Sequence, residues 1–492
     1  MKQKIIIAGA SLLTLPCVEA ENKLPNIVVF LADDLGRSES EPYGAITVRT
    51  PNMARLAREG MTFERAFVAA PYSGPSRASL FSGVMPPRHG EIANQYVPRM
   101  DMMTMVKSLQ NQGYEVVSLG KTTHGFQLAR RLGFDFLVDD MGEHPKDDRL
   151  VIKPLEKFLA APRSGKPLCV FVGDRRPHSP WLNESIYDVK NDPSFPNNLI
   201  DTPEARSMWG RYLTDVTNMD KTIVDVEKRF EEYFGNDDFL FMFTSDHGTS
   251  WMFRKGNLYD GAINIPLIVK WKGKIKENVR STAMVSWIDI IPTFLDIAGA
   301  KPDTNIDGRS FKKVLFGEAD THHKYIFATH NSIAPADYVN RAVRSERFKY
   351  IRNYSHENYF FMIHELLRTS NSTSYWESWD EKVKEDSKAK ALLVRYRERP
   401  YEELYDVIAD PMEEKNLAHD PSYKHELENL SSILDEWMLQ QQDDLKLPQI
   451  VYPLNGPSPY EQREEINQLF YKLKAEKKKA EKLRAAKQKV EN

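Results

Sequence analysis

The chain has 492 residues, 41% of them hydrophobic and 28% charged, with 24 Gly, 29 Pro, two Cys and a formal net charge of −3. That length predicts two or three domains, or one large domain with a smaller companion, and the apolar fraction excludes global disorder. Two cysteines exclude a disulfide scaffold and a Cys-based zinc module, and the near-neutral charge argues against a dedicated nucleic-acid binder.

Lys2 and Lys4 precede an apolar stretch from Ile5 to Leu15 and a small-x-small site at Val18-Glu19-Ala20. This predicts a cleaved signal peptide over residues 1–20 and export to a bacterial periplasm or beyond. Pro16 stands before Cys17 where a lipoprotein would carry a small residue, so simple cleavage is preferred over acylation. Cleavage leaves Cys169 as the lone thiol, inside an apolar strand where an inert core role is expected. No later run approaches the roughly 20 apolar residues of a membrane helix.

From Pro25 onward, short apolar runs alternate with helical patterns. Ile27 to Leu31 is continuous, as in a strand buried on both faces. Met105, Val106 and Leu109 lie at helical spacing, and Val116 to Leu119 follows as a strand. Leu168 to Val172, Phe239 to Phe243 and Pro266 to Val269 repeat the strand signal, with a long helix expected over Pro203 to Phe234. The order predicts an α/β fold, a large mostly parallel sheet flanked by helices, over residues 21–325.

Near residue 325 the pattern changes. Tyr325 to Ala328, Arg347 to Ile351 and Leu404-Tyr405 read as short antiparallel strands, followed by a helix from Lys424 to Met438. A smaller C-terminal subdomain is expected over 326–447, then a Pro-rich segment and basic tail over 448–492. Lys472 to Lys489 holds nine Lys or Arg against two acids and reads first as a solvated helix rather than a nucleic-acid arm.

Open α/β sheets place ligands at the carboxyl ends of their strands. Asp33-Asp34 ends the first strand and Asp246-His247 ends a later one. Carboxylates this close repel, so a divalent cation is the natural compensation, and oxygen ligands favour Ca²⁺ or Mg²⁺. Asp33-Asp34 alone could equally cap a helix; the second strand end tips the pair toward metal. Between them, Gly74-Pro75 makes a turn and the next segment can open a helix, which sets Ser73 at an anion-favouring N-terminus. Arg77, four residues on, lies on the same face and can reach back to the oxygen of residue 73.

The segment Ser73-Gly-Pro75-Ser-Arg77, followed by Leu80 and Gly83, resembles the signature of the type I sulfatases of the alkaline-phosphatase superfamily. Ordered matches continue through Thr50-Pro51-Asn52, Gly120-Lys121, Pro177-His178-Ser-Pro180, Thr244-Ser-Asp246-His247-Gly248, Lys255-Gly-Asn-Leu-Tyr259 and Asp289-Ile-Ile-Pro-Thr293. Within the family the pattern is most similar to the heparan N-sulfatases (sulfamidases), above all over Ser245 to Val269, Arg341 to Arg352 and Tyr401 to Leu417.

The resemblance implies a hydrolase of sulfated saccharides, with N-sulfoglucosamine of heparin or heparan sulfate expected first. An O-sulfated glycan, or phosphoester chemistry of the same superfamily, is the alternative. It implies that Ser73 is oxidised to formylglycine, whose hydrate attacks sulfur, by the anaerobic radical-type maturase that accepts Ser. It implies Ca²⁺, rather than Mg²⁺, on Asp33, Asp34, Asp246, His247 and residue 73. Arg77 and Lys121 would hold the diol, while His178 and Lys255 would face the sulfate and leaving group, with His178 as acid. His124 would be the base that collapses the covalent sulfate intermediate. A polyanionic substrate also needs a basic pocket, for which Arg175, Arg176, Arg341 and His330 are the candidates. Three departures stand out. Lys121-Thr-Thr-His124 has one residue more than the family's Lys-x-His, His247 stands where the family usually has Asn, and position 73 is Ser rather than Cys.

Overall fold

The computed structural model describes residues 24–491, apart from position 95 and residues 139–148, 163, 236–238, 302–304, 334–335, 363–364, 367–374 and 446–449. The expected signal peptide, with Cys17, lies outside the described residues. Nine strands build the larger sheet: β1 (Asn26–Asp33), β2 (Met61–Phe67), β3 (Glu115–Gly120), β4 (Phe136–Val138), β5 (Leu168–Pro177), β6 (Phe239–Ser245), β7 (Asn264–Lys270), β8 (Val279–Ser281) and β9 (Val285–Ser286). Their order is β4-β3-β5-β1-β6-β7-β2-β8, with β9 paired to β2. β4, β3, β5, β1 and β6 run parallel, whereas β7 is antiparallel to both β6 and β2.

The expected α/β architecture is therefore present, and its centre follows from composition. Ile27 to Ala32 of β1 are fully buried, because helices cover both faces of a parallel sheet. β2 escaped the sequence pattern because Glu64-Arg65 breaks its apolar run. The strand also shifts register against β7 between Phe63 and Ala66.

Six helices bear on the site and its surroundings: α1 (Ser73–Ser82), α2 (Pro203–Phe234), α3 (Tyr375–Glu385), α4 (Ser387–Arg397), α5 (Lys424–Gln440) and α6 (Arg463–Glu491). α2 has the predicted bounds. Thr202 caps its start by accepting the Ala205 N–H, Pro203 fits its first turn, and Gly235 closes it in the left-handed region at φ 76°.

The smaller sheet is antiparallel, in the order β10 (Ile326–Ile333), β11 (Ala336–Arg344), β12 (Phe348–Asn353) and β13 (Glu402–Asp406). β11 was not foreseen, because Asp337, Asn340 and Arg341 interrupt its apolar residues. Leu430, Leu434 and Trp437 of α5 pack on Val343, Tyr350 and Leu404 of this sheet. α3 and α4 were also missed. The buried face of α3 is aromatic rather than aliphatic, with Tyr375 stacked on Trp251 at 4.6 Å between ring centroids, and α4 buries only Ala389, Leu393 and Tyr396. Loops flanking the larger sheet meet the smaller one: Thr329 N–H donates to Ala69 O at 2.9 Å, and Tyr259 Oη donates to Glu403 at 2.7 Å.

Candidate active site

Four neighbouring parallel strands, β3, β5, β1 and β6, end on one edge of the larger sheet. Lys121 follows β3, His178 follows β5, Asp33 and Asp34 end β1, and Asp246 and His247 follow β6. Residues far apart in sequence therefore converge because each sits at a strand's carboxyl end. Local backbone sharpens the convergence. A Cβ added to Gly173 of β5 would lie 2.0 Å from Lys121 O, so glycine lets the Lys121 loop cross the strand end. Asp34 sits in the left-handed region at φ 67°, held by its N–H to Asp246 Oδ1 at 3.0 Å. Such a backbone costs about 1–3 kcal/mol and persists where surrounding bonds over-determine it.

Ser73 opens α1 and is almost wholly buried among these residues. Its Oγ lies 2.6 Å from Asp246 Oδ2, 3.1 Å from His247 Nε2 and 3.3 Å from Asp33 Oδ1. Arg77, one turn on, donates to Asp246 Oδ2 at 3.0 Å and to Asp33 Oδ1 at 3.3 Å. The guanidinium thus meets the carboxylates around residue 73, sharing Asp246 Oδ2 with Ser73 Oγ. Lys121 Nζ pairs with Asp33 Oδ2, and Lys255 Nζ lies 2.7 Å from both oxygens of Asp34. Three side chains that the sequence did not single out complete the frame. Ser76 donates to Asp246 O at 2.7 Å, Ser250 donates to Asp34 Oδ2 at 2.6 Å, and Asn94 Oδ1 accepts the Gly74 N–H at 2.8 Å. Ser76 and Ser250 lie within four residues of Ser73 and His247, which is the signal that could have found them.

The electrostatics explain why so many charges can share a buried site. Burial alone would raise the Asp33 and Asp34 carboxyls. Lys121, His178 and Arg77 outweigh it at Asp33, and Lys255, His178 and His247 outweigh it at Asp34, holding both well below the usual carboxylate range. Three carboxylates then face three basic side chains, Arg77, Lys121 and Lys255.

The donor set fits a cation. One Ser73 hydroxyl has a single proton, yet two carboxylates and an imidazole crowd its oxygen. His247 Nδ1 is engaged by Gly248 O at 2.8 Å, which leaves Nε2 as the ring atom facing inward. Ligand atoms of Asp34, Asp246 and His247 lie within 4.8 Å of one another. A divalent ion there would leave the pocket net positive, the sign needed to receive an anionic ester. His178 stands at the rim, about one-third exposed, with Nε2 at 3.9 Å from Asp34 Oδ2. Burial pushes its imidazole down to about 4, and its Nδ1 is engaged by Ser179 O. The free ring is therefore neutral at pH 7, and a bound anion would favour its charged form.

Three expected pocket residues lie elsewhere. Arg176 is buried on Asp174 at 2.9 Å and Thr222 at 2.6 Å, bracing β5 against α2. Arg341 is buried on Asp443 at 2.9 Å and also donates to His330 O at 3.0 Å. Both guanidiniums are structural staples rather than substrate contacts. His330 is 2% exposed and lies behind Tyr72, with ring centroids 5.6 Å apart; burial pushes it down to about 3. It supports the pocket wall and does not line the pocket. His124 is half-buried in the loop between β3 and the helix Phe126–Leu132, and Arg175 is half-buried on β5. Cys169 is fully buried in β5, and burial pushes its thiol up, as expected for an inert core residue.

A family model described as Sulfatase matches residues 25–300. The chain belongs to the sulfatase family. A second model, N-sulphoglucosamine sulphohydrolase, C-terminal, matches residues 247–369 of this sulfatase, so its C-terminal part is sulfamidase-like. It is 29% identical over 445 residues to an ulvan-active sulfatase of Formosa agariphila, covering 89% of this chain and 84% of the relative. It is 23% identical over 540 residues to an N-acetylglucosamine-6-O-sulfatase of Bacteroides thetaiotaomicron, covering 86% and 88%. A solved structure in complex with its substrate D-glucosamine-2-N,6-O-disulfate shares the fold at TM-score 0.63 and 20% identity, covering 86% of this chain and 99% of that one. A phosphonate monoester hydrolase from Silicibacter pomeroyi also shares it, at TM-score 0.64 and 20% identity, covering 86% and 96%. The enzyme is accordingly a sulfate ester hydrolase by family, on an alkaline-phosphatase-like scaffold.

Proposed function

We propose that this sulfatase removes sulfate from a sulfated amino sugar, N-sulfoglucosamine first, using Ca²⁺ and a formylglycine made from Ser73. The observation that carries the reading is Ser73 at the N-terminus of α1, packed among Asp33, Asp246 and His247 with Arg77 on the same carboxylates. The sulfamidase-like match over residues 247–369 supports the amino sugar.

Formylglycine would supply the nucleophilic oxygen of its hydrate and a second hydroxyl through which sulfate can be released. Ca²⁺, held by Asp33, Asp34, Asp246 and His247, would supply electrophilic stabilisation of anionic oxygen. The chain's own residues orient and charge the site. Arg77 and Lys121 fix the carboxylates and favour an ionised oxygen at position 73. Lys255 attracts the anionic ester, and His178 delivers a proton from Nε2 to the leaving atom once the anion is bound. His124 would be the base for the second hydroxyl that formylglycine would supply at position 73. The signal peptide directs the enzyme to the periplasm or outside the cell, and an anaerobic-type maturase is its processing partner. Among the described residues no helix is long and apolar enough to cross a membrane.

Peptide mass spectrometry after co-expression with such a maturase tests the mechanism. The Ser73 peptide should lose two hydrogens; persistence of unmodified Ser73 in an active enzyme overturns it. A second reading, an O-sulfatase, draws on the relatives named for ulvan and for N-acetylglucosamine 6-sulfate. Sulfate release from O-sulfated but never from N-sulfated saccharides would select it.

A further inference from the structure

The last helix has an anchored half and a basic half. Ile466 of α6 is 1% exposed and packs with Phe361, Leu366 and Tyr452, and Phe470 lies against the same cluster. Beyond this anchor Tyr471, Lys472, Lys474, Ala475, Glu476 and Lys479 are all exposed. Lys472 to Glu491 holds nine bases and three acids, a net +6, so with a chain total of −3 residues 1–471 carry −9. Lys474, Lys478 and Lys482 recur every fourth position and Lys489 follows seven later, a sequence spacing that spans about 22 Å of helix axis at 1.5 Å per residue.

The root of this helix connects to the active site through a short chain of packed residues. Phe361, which packs on Ile466, precedes Met362, whose Sδ accepts Tyr72 Oη at 3.0 Å. Tyr72 is the residue before Ser73.

We propose that the basic half of α6 is a tether for sulfated polysaccharide, holding a polyanionic chain beside the active site. The inference rests on the proposed reading of the substrate as a sulfated glycan. Residues 1–471, at net −9, repel such a polymer, and a C-terminal helix half of net +6 offers it the opposite sign. A chain held there presents its sulfated sugars to the neighbouring pocket at raised effective concentration. An anionic lipid surface could meet the same charge. Helices that lie on membranes also need a bulky apolar face. From Lys472 on, Leu473, Leu483 and Val490 are the only apolar residues larger than alanine. The glycan is therefore the occupant that the residues fit.

The test compares the full chain with one ending at Tyr471, which keeps Ile466 and Phe470. A full-length Lys474→Glu, Lys478→Glu, Lys482→Glu variant guards against misfolding of the truncation. Heparin binding is measured directly at low and high salt, apart from turnover. Sulfate release is measured on an N-sulfoglucosamine monosaccharide and on heparin. Both variants should bind heparin about tenfold more weakly at low salt, with a flatter salt dependence. Their KM on the polymer should rise by a similar factor, with kcat unchanged and monosaccharide kcat/KM within about twofold of the full chain. Unchanged heparin binding in both variants overturns the tether. So does tail-dependent binding to phosphatidylserine vesicles that equals or exceeds binding to heparin. Failure to release sulfate from any saccharide while heparin binding still depends on the tail overturns the substrate reading instead.

Discussion

Lys255 Nζ lies 2.7 Å from both carboxylate oxygens of Asp34, across 221 residues of sequence, and both side chains are at least nineteen-twentieths buried. The pair clamps the loop after β6 onto the end of β1, and in the proposed reaction it fixes a positive charge where the anionic ester enters. Lys255→Met leaves the Asp34 charge buried without this partner, which costs about 3–5 kcal/mol of stability. Loss of the cation should also lower kcat/KM by about 10²–10³-fold. Thermal unfolding and steady-state kinetics read the two effects separately. Wild-type kcat/KM in a folded variant would remove Lys255 from the reaction.

The crowd of acceptors around Ser73 Oγ predicts dependence on a divalent ion. Exhaustive chelation should abolish sulfate release and lower the melting temperature, and added Ca²⁺ should restore both. Bound at 100 times its Kd, an ion stabilises the fold by about 2.7 kcal/mol. Asp246→Asn should weaken that rescue, seen as a rightward shift of the Ca²⁺ titration. Full activity after chelation would refute the site.

Arg341 provides the contrasting case. Its pairing with Asp443 is at most 3% exposed on either side, so Arg341→Met should cost about 3–5 kcal/mol of stability. The folded fraction should keep its KM. A raised KM without loss of stability would return Arg341 to the substrate pocket.

Glu413 predicts a pH dependence of stability away from the active site. Its carboxylate accepts the Asp260 N–H at 2.5 Å and lies 2.8 Å from Lys349 Nζ; Asp260 itself pairs with Lys349 and with Arg344 at 3.1 Å. Burial, with the Asp260 charge, pushes the Glu413 carboxyl up to about 7 against the lowering effect of Lys349. The folded protein therefore keeps a proton that the unfolded chain loses near its usual 4.5. Stability from this group is present below that value and is lost as pH rises through about 7. Glu413→Gln should flatten this fall in melting temperature between about pH 5 and pH 8. An unchanged slope would show that another group carries it.

Ser73, Arg77, Asp33, Asp34, Asp246 and His247 were legible because each belongs to a contiguous segment whose chemistry is local. A buried strand ends in acids, and a turn opens a helix. The same locality made the central strands and α2 readable, since an unbroken apolar run and a cap-to-glycine span need no knowledge of neighbours. β2 and β11 were not readable, because charged residues interrupt their apolar runs and only pairing partners hold them as strands. Arg176, Arg341 and His330 were misplaced for a related reason. Sequence displays a charge but not what neutralises it, and the partner of Arg341 lies 102 residues away.

The two cysteines and the near-neutral net charge excluded scaffolds and nucleic-acid partners at the outset, and Ser73, with its flanking Gly-Pro-Ser-Arg, pointed to the family. By itself, then, the sequence determined the class of chemistry and which strand ends carry it. Tertiary structure alone decided which charges face the reacting position and which merely staple the fold. That division is physical: strand-end residues are neighbours along the chain, whereas a buried ion pair depends on contacts between segments that only folding brings within a few ångströms.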